Sequence, residues 1–422
     1  MSRTCDIDKQ NINGPLNALR LEGKINNVNK VIYLFGDYHH PISIETKCDS
    51  YYNKDFTDYL YQTLTTTDKN IKYDFFYENY ANLPYLDQAL YSYKPYRVNY
   101  LNELRMFVDS EVIFTRKDEK SPIRNGGSNS FSNLRIHFLD IRYFFGSDLI
   151  YDQENNVKNC INYLNNNPAN LHNVNSMIIS FYNIKNHLNY IYSHINLLVF
   201  NKKISFTDII NQDDNQLKKF IDEYMAKIID RKDLTFKYSK KMFQEYNNID
   251  VKNKLLNSNI FKEILTMIKD TVKQINSCLR KLILMKKQIV NTDEFTLYQD
   301  NKYVNYGYNN KSLWNIFIKI DKKFMEINDN ISCIYVHITD IYLLRRLLDK
   351  DYVNNALIYT GIRHTANYVN VLVNQFDFKI THYNYIKDDN VKNLLTYQYE
   401  LLIYPPKLKQ CVNMTKFPDK FL

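Results

Sequence analysis

The chain has 422 residues, 45% of them hydrophobic, and a formal charge of +9. That apolar content suffices for a substantial core and excludes wholesale disorder, and the length suits one domain carrying a large insertion. No apolar run reaches membrane-spanning length and the N-terminal MSRTCDIDKQNINGP is too polar for a signal peptide, so a soluble, intracellular protein is expected.

The composition, with 37 Tyr and 24 Phe against 8 Gly and one Trp, has the bias of an AT-rich genome such as that of a giant DNA virus or some protists. For a viral protein the expected location is host cytoplasm or virion. Cys5, Cys48, Cys160, Cys278, Cys333 and Cys411 are scattered without a CxxC pair, which predicts reduced thiols rather than a disulfide framework or a zinc knuckle.

Read in chain order, residues 1–147 have an α/β texture. Short β-like runs occur at Val31–Phe35, Tyr73–Tyr77 and Arg135–Leu139, with a helix predicted around Asp55–Leu64 between the first two. The polar, Gly/Ser-rich stretch Lys117–Asn133 reads as a mobile loop.

Residues 148–330 read as a helical insertion. Between Pro168 and Pro405 there is no proline and only two glycines. Met177, Phe181, Ile184, Leu188, Ile191, Ile195 and Leu198 form one heptad seam; Phe261, Leu265, Ile268, Val272, Ile275, Leu279 and Leu282 form another. Two such seams predict a coiled-coil-like hairpin or small bundle, and a homo-oligomer through this insertion is a further expectation. Additional helices are read near Phe206–Ile229 and Leu234–Tyr246. His187 and His194 share a face of the first seam helix roughly 10 Å apart, too far to chelate one ion, and are read as flanking an interface. From Asn201 to Val290 there are 19 Lys and Arg against 11 Asp and Glu. Contact with nucleic acid is one reading of that excess; the absence of an interleaved aromatic stripe favours a solvated, lysine-rich surface.

Residues 331–422 return to α/β texture: a helix at Asp340–Leu348, an apolar run at Ala356–Tyr359, and β-like runs at Phe378–Tyr383 and Tyr399–Tyr404. The expected fold is therefore an open, mainly parallel sheet built from both chain ends, with the helical block inserted between them.

The chemistry-bearing pattern is repeated. VIYLFGDYHH and ALIYTGIRH each end an apolar strand in Gly-x-x-His, and Gly36/His39 and Gly361/His364 are the two GxxH matches in the chain. Chance predicts about 0.2 such matches. In open α/β sheets ligands sit beyond the carboxyl ends of the strands, and glycine lets the backbone approach them there. Glu78, closing DFFYE, reaches the same edge, as do Asp140 and Arg142 of IHFLDIR. Two imidazoles and a carboxylate suit a divalent transition metal with an open water position. His40 reads as a neighbour rather than a second ligand. Asp140 and Arg142 read as a mutual pair, and His137 as a core residue.

This arrangement resembles the TraB/TIKI group and its erythromycin-esterase and ChaN-like relatives. In that resemblance Gly36–His39 matches the first motif, Glu78 the acid, Arg345 or Arg346 the helix arginine, and Gly361–His364 the second motif. It covers 1–146 and 331–422 and implies a metal-dependent peptidase or hydrolase. Esterase-like members instead use a histidine as general base, and ChaN-like members bind haem iron. The chain departs from the pattern in HTANYVN after the second motif and in Arg363 within it, a cation suited to an anionic substrate.

The resulting expectation is a hydrolase acting on a peptide or ester, with Mn, Co, Zn or Fe held by His39, Glu78 and His364. Glu78, Arg142 and Arg346 are the candidate catalytic groups, the arginines orienting substrate or stabilising an oxyanion, and Gly36 and Gly361 shape the binding loops. The alternative is a non-catalytic binding or virion-associated protein that works through its basic insertion.

Overall fold

The computed structural model describes residues 11–43, 47–49, 53–80, 99–113, 126–128, 130–166, 170–203, 215–290, 311–387, 396–418 and 421. In chain order these form β1 (Asn11–Asn13), β2 (Asn17–Ile25), β3 (Val28–Asp37), β4 (Lys54–Asp55), α1 (Phe56–Thr66), β5 (Tyr73–Tyr80), α2 (Tyr100–Glu111), β6 (Val112–Ile113), β7 (Gly126–Ser128) and β8 (Leu134–Asp140). A 3-10 turn (Arg142–Phe145) leads into α3 (Ser147–Asn166), α4 (Leu171–Phe200), α5 (Asn215–Ile229), α6 (Lys232–Phe243), α7 (Ile249–Leu256), α8 (Asn259–Val290) and α9 (Lys311–Asp349). Then come β9 (Asn355–Gly361), α10 (Ile362–Phe376), β10 (Lys379–Tyr383), α11 (Thr396–Ile403) and β11 (Cys411–Asn413). Two compact units result: Met1–Ile141, Tyr246–Phe261 and Thr339–Leu422 make the first, and Arg142–Glu245 with Lys262–Ile338 the second.

The first unit is α/β. Among the described residues its main sheet has the order β10-β2-β3-β9-β5-β8-β7-β6, and β3, β9, β5 and β8 run parallel. The parallel strands read as near-continuous apolar runs because both faces are covered, and Ile32–Asp37 and Ala356–Gly361 are buried throughout. Strands β2 and β3 form a hairpin whose turn residues, Asn26 and Asn27, have φ of 46° and 66°, a conformation that asparagine tolerates.

Strand β9 lies between β3 and β5 although it comes from the far end of the chain. Its register sets Gly361 beside Asp37 and Thr360 beside Gly36. The two GxxH motifs therefore leave the sheet side by side, at one level. Lys30 steadies the entry to β9, its buried ammonium donating to the carbonyls of Lys350 at 2.9 Å and Val353 at 2.5 Å. Helix α10 packs back over β3, closely enough that a Cβ at position 36 would meet Ile362 Cδ1 at 2.5 Å.

Several sequence expectations are corrected. Tyr399–Tyr404 is not a strand; Thr396–Ile403 is helical and packs on α10, burying Tyr399, Leu402 and Ile403 at the i, i+3, i+4 spacing of a helix face. Gly126–Ser128, in the stretch read as a loop, pairs with both β6 and β8; positions 117–125 lie outside the described residues. Residues 246–261, within the presumed insertion, belong to the α/β unit, where the Asn247 and Asn248 amides each donate to Asp349 at 2.8 Å. The cysteines are not all reduced: Cys48 and Cys411 form a disulfide. Strand β1 pairs with β11, which carries Cys411, and Asn13 of β1 accepts from the Cys48 amide at 2.9 Å, so the two Cα atoms stand 5.1 Å apart across a sequence separation of 363. Cys160, Cys278 and Cys333 take no part in a disulfide, and Cys5 lies outside the described residues.

The second unit is helical. Every position of the first predicted seam, Met177 to Leu198, is buried on α4, whose neighbours are α3, α5 and α6. On α8 the seam is shifted: Leu265 and Val272 are half-buried, while Ile264, Ile268, Thr271, Ile275, Cys278, Leu282, Met285 and Ile289 are buried. A third seam, Phe317, Ile320, Phe324, Ile327, Ile331, Ile334 and Ile338, runs along α9, with Phe324 facing Phe181 of α4 at 6.2 Å. Lys218, Lys219, Lys262, Lys269 and Lys273 are exposed, as a solvated basic surface requires. His187 is a core residue: Nε2 donates to the Phe145 carbonyl at 2.7 Å and Nδ1 accepts from Tyr224 at 2.9 Å. Its ring fills the space where a Cβ on Gly146 would otherwise stand, at 2.4 Å from Cε1, and Gly146 has φ of 73°.

Near these groups Glu154 is buried, and its Oε1 has no hydrogen-bond partner among the described residues. Burial pushes its pKa to about 8. A carboxyl whose folded pKa is raised contributes full stability below its unfolded value, near 4.5, and loses it as pH rises through about 8. Glu154→Gln removes that titration. Urea denaturation at pH 5 and pH 8.5 should show the variant gaining stability over the parent as pH rises; an equal difference at both values would refute the assignment.

Candidate active site

Three parallel strands deliver the site. Asp37 ends β3, Gly361 ends β9 and Glu78 lies in β5, with β9 in the middle. Beyond Asp37 the chain turns sharply, and His39 takes a left-handed backbone conformation with φ of 55°, a strained state for histidine. The turn aims the ring back over the strand ends, where Nε2 stands 3.3 Å from Glu78 Oε2. His364, in the first turn of α10, brings Nε2 to 3.8 Å from Glu78 Oε1. The Gly361 amide donates to Glu78 Oε2 at 3.0 Å, so one buried carboxylate gathers both motifs. Gly361 is also a steric requirement: a Cβ there would lie 3.1 Å from His39 Nε2 and 3.6 Å from Glu78 Oε2.

Each histidine is backed by a second carboxylate. His39 Nδ1 is 3.1 Å from Asp37 Oδ2, and His364 Nδ1 is 2.5 Å from Asp340 Oδ1. An ionised carboxylate only accepts, so both Nδ1 atoms carry protons and both Nε2 atoms face Glu78. Asp340 is itself fixed by Asn367 Nδ2, which donates to Oδ2 at 2.6 Å. Behind the carboxylates stand Tyr359, towards Asp37, and Tyr368, towards Asp340; burial first and those charges next push both phenols well above their usual range. His364 is almost enclosed, whereas the His39 side chain is 36% exposed, so the cluster opens on the His39 side.

His39, Glu78 and His364, the ligands expected from the sequence, stand together at the strand ends with Gly36 and Gly361. Arg346 has a different partner. Its Nη2 donates to His137 Nδ1 at 2.8 Å, and His137 Nε2 donates to Asp74 at 2.6 Å, at the other end of β5 from Glu78. Burial holds His137 at a pKa of about 4, so it is a neutral link between Arg346 and Asp74. Arg345 faces the Tyr246 ring and Asp349. Arg142 opens the 3-10 turn of the second unit. Asp140 is buried at the end of β8, and Arg363 is exposed beside His364. Among the described residues Arg105 of α2 comes near the cluster, its Nη2 donating to the Glu78 backbone carbonyl at 3.1 Å. No motif marks it. Asp37 could have been found as the neighbour of Gly36; Asp340, on a helix 24 positions before His364, could not.

The donor chemistry is that of a two-histidine, one-carboxylate metal centre with outer carboxylates fixing the imidazoles. Among the described residues, however, no group of three or more His, Cys, Asp or Glu is placed to hold a metal ion as it stands.

Fold and cluster together define an α/β protein with a histidine–carboxylate site at the strand ends. The chain belongs to DUF5847, a family of unknown function, whose model matches residues 10–422. It is similar to three proteins of Acanthamoeba polyphaga mimivirus over essentially the whole of both chains. These are uncharacterized protein R706 (30% identical, 100% of this chain and 99% of the relative), R161 (28%, 99% and 99%) and R160 (27%, 100% and 100%). Giant-virus relatives agree with the codon bias of the composition. No solved structure matches. No described helix is long and apolar enough to cross a membrane.

The His39 ring provides a direct test of the geometry. Burial disfavours its charged form, but hydrogen bonds to Asp37 and Glu78 and the charges of both carboxylates outweigh this, and the pKa rises to about 10. A histidine raised in this way contributes stability that is full below about 6.5 and lost as pH rises through about 10. NMR titration of the His39 ring should show an imidazolium at neutral pH in the metal-free protein, with Glu78→Gln lowering the midpoint. A His39 that titrates near 6.5 in both proteins would mean that the two groups do not meet in solution.

Proposed function

We propose that this chain is a hydrolase of the peptidase or esterase kind, acting at the carboxyl ends of β3, β9 and β5. The observation that carries this reading is the pair of Asp-backed histidines directing both Nε2 atoms at one buried carboxylate. Structural histidines such as His187 and His137 are enclosed and have both ring nitrogens paired within the core. His39 instead is part-open and strained, as groups at reactive sites often are.

His39, Glu78 and His364 would hold a divalent ion such as Mn, Co, Zn or Fe, with Asp37 and Asp340 fixing the tautomers. Such an ion supplies a bound water of lowered pKa and polarises a carbonyl. His39 must give up its proton to serve as a ligand, so uptake releases a proton. Arg105, whose Nη2 donates to the Glu78 backbone carbonyl, and the exposed Arg363 would supply positive charge to a carbonyl oxygen as it gains negative charge. The TraB/TIKI likeness, carried by the motif residues, points the same way.

A second reading is favoured by the place of His39 between the Asp37 and Glu78 carboxylates, which favour its protonated form. Without a metal, His364 Nε2 would take a proton from water while the His39 imidazolium stabilised the oxyanion.

Metal analysis of purified protein together with turnover of p-nitrophenyl esters and short peptides separates these. On the first reading the protein takes up about one equivalent of metal, His39→Ala and His364→Ala abolish uptake, and Asp37→Asn or Asp340→Asn weaken it roughly 10- to 100-fold. Turnover that survives chelation but is lost in His364→Ala selects the second. Neither metal nor turnover would leave the non-catalytic binding protein.

A further inference from the structure

The residues on either side of His39 have side chains that the cluster does not use. Tyr38 is 37% exposed and His40 is exposed, yet their rings lie against each other with centroids 4.3 Å apart. Tyr404, half-buried, meets Tyr38 edge to face at 5.7 Å and 85°. Three rings from two distant segments thus form one patch directly beside His39.

The patch is held in place. The Asn17 side-chain amide donates to the Ile403 carbonyl at 2.7 Å, immediately before Tyr404, and to the Tyr385 carbonyl at 2.8 Å. Asn17 is in register with Gly36, so the strand pair that launches the first GxxH turn also anchors Tyr404. The Tyr38 amide donates to Asp37 Oδ1 at 2.7 Å, the same carboxylate that backs His39. Motion of the patch relative to the reactive ring is therefore limited at both of its roots.

Pre-positioned aromatic rings at an exposed edge bind other flat rings at low entropic cost. We propose, on the hydrolase reading above, that Tyr38, His40 and Tyr404 form a stacking shelf for an aromatic group of the substrate. The substrate class is then an ester or amide with a flat ring on the acyl side of the bond that is cleaved.

The test is the ratio of kcat/KM for p-nitrophenyl benzoate to that for p-nitrophenyl acetate. Tyr38→Ala and Tyr404→Ala should each lower this ratio about tenfold, mainly through KM for the benzoate, while Tyr38→Phe and Tyr404→Phe restore it. An unchanged ratio in both alanine variants would overturn the shelf, whatever happens to the absolute rates. If wild type and His39→Ala are equally inert on both esters, the hydrolase reading has failed and the shelf is read by binding. Saturation-transfer NMR with benzamide that persists in His39→Ala and disappears in Tyr38→Ala supports it; no transfer from wild type refutes it.

Discussion

The contact on which the site depends is the Glu78 carboxylate, which accepts from the Gly361 amide and faces the Nε2 atoms of both His39 and His364. A buried carboxylate is costly unless it is paired, and here each of its oxygens has a partner from a different turn of chain. Nothing local to β5 could supply this. It requires β9, from the far end of the sequence, to be threaded between β3 and β5. The topology and the chemistry are therefore the same constraint seen at two scales, and the glycine at 361 is where they meet.

That constraint explains which parts of the molecule were legible in the sequence. The four parallel strands read clearly because their buried runs are continuous, whereas β2 was not read, and the doubled GxxH motif read clearly because each copy ends such a run. Glu78 could be named for the same reason. The carboxylates behind the histidines were harder. Asp37 lies inside the first motif, but Asp340 belongs to a helix that the motif does not include, and Arg105 follows a stretch without any pattern. Of the arginines that were singled out, Arg142 had its position near a strand end to recommend it, and Arg346 its match to the helix arginine of the TraB/TIKI resemblance. The structure gives the Arg346 guanidinium to His137.

The helical unit was legible as period but not as partnership. Heptads at Met177–Leu198 marked α4 correctly. On α8 the same rule chose Leu265 and Val272 over Ile264 and Thr271, because threonine and cysteine at buried positions do not register as apolar. The α9 seam, though equally regular, merges into the helix preceding β9 and was read only at its C-terminal end. The tyrosine-rich run at Tyr399–Tyr404 went to helix instead of strand because its buried positions follow the surface of α10, whatever its β propensity.

The Cys48–Cys411 bond has a consequence for chain connectivity. It joins positions separated by 363 residues, so nearly the whole polypeptide lies within one covalent ring. A single cut by a protease anywhere between the two cysteines would open that ring without producing two molecules. After a cut between Glu78 and His364, the piece bearing His39 and Glu78 and the piece bearing His364 would stay linked until a reductant arrived, and the halves of the divided site would share one covalent fate.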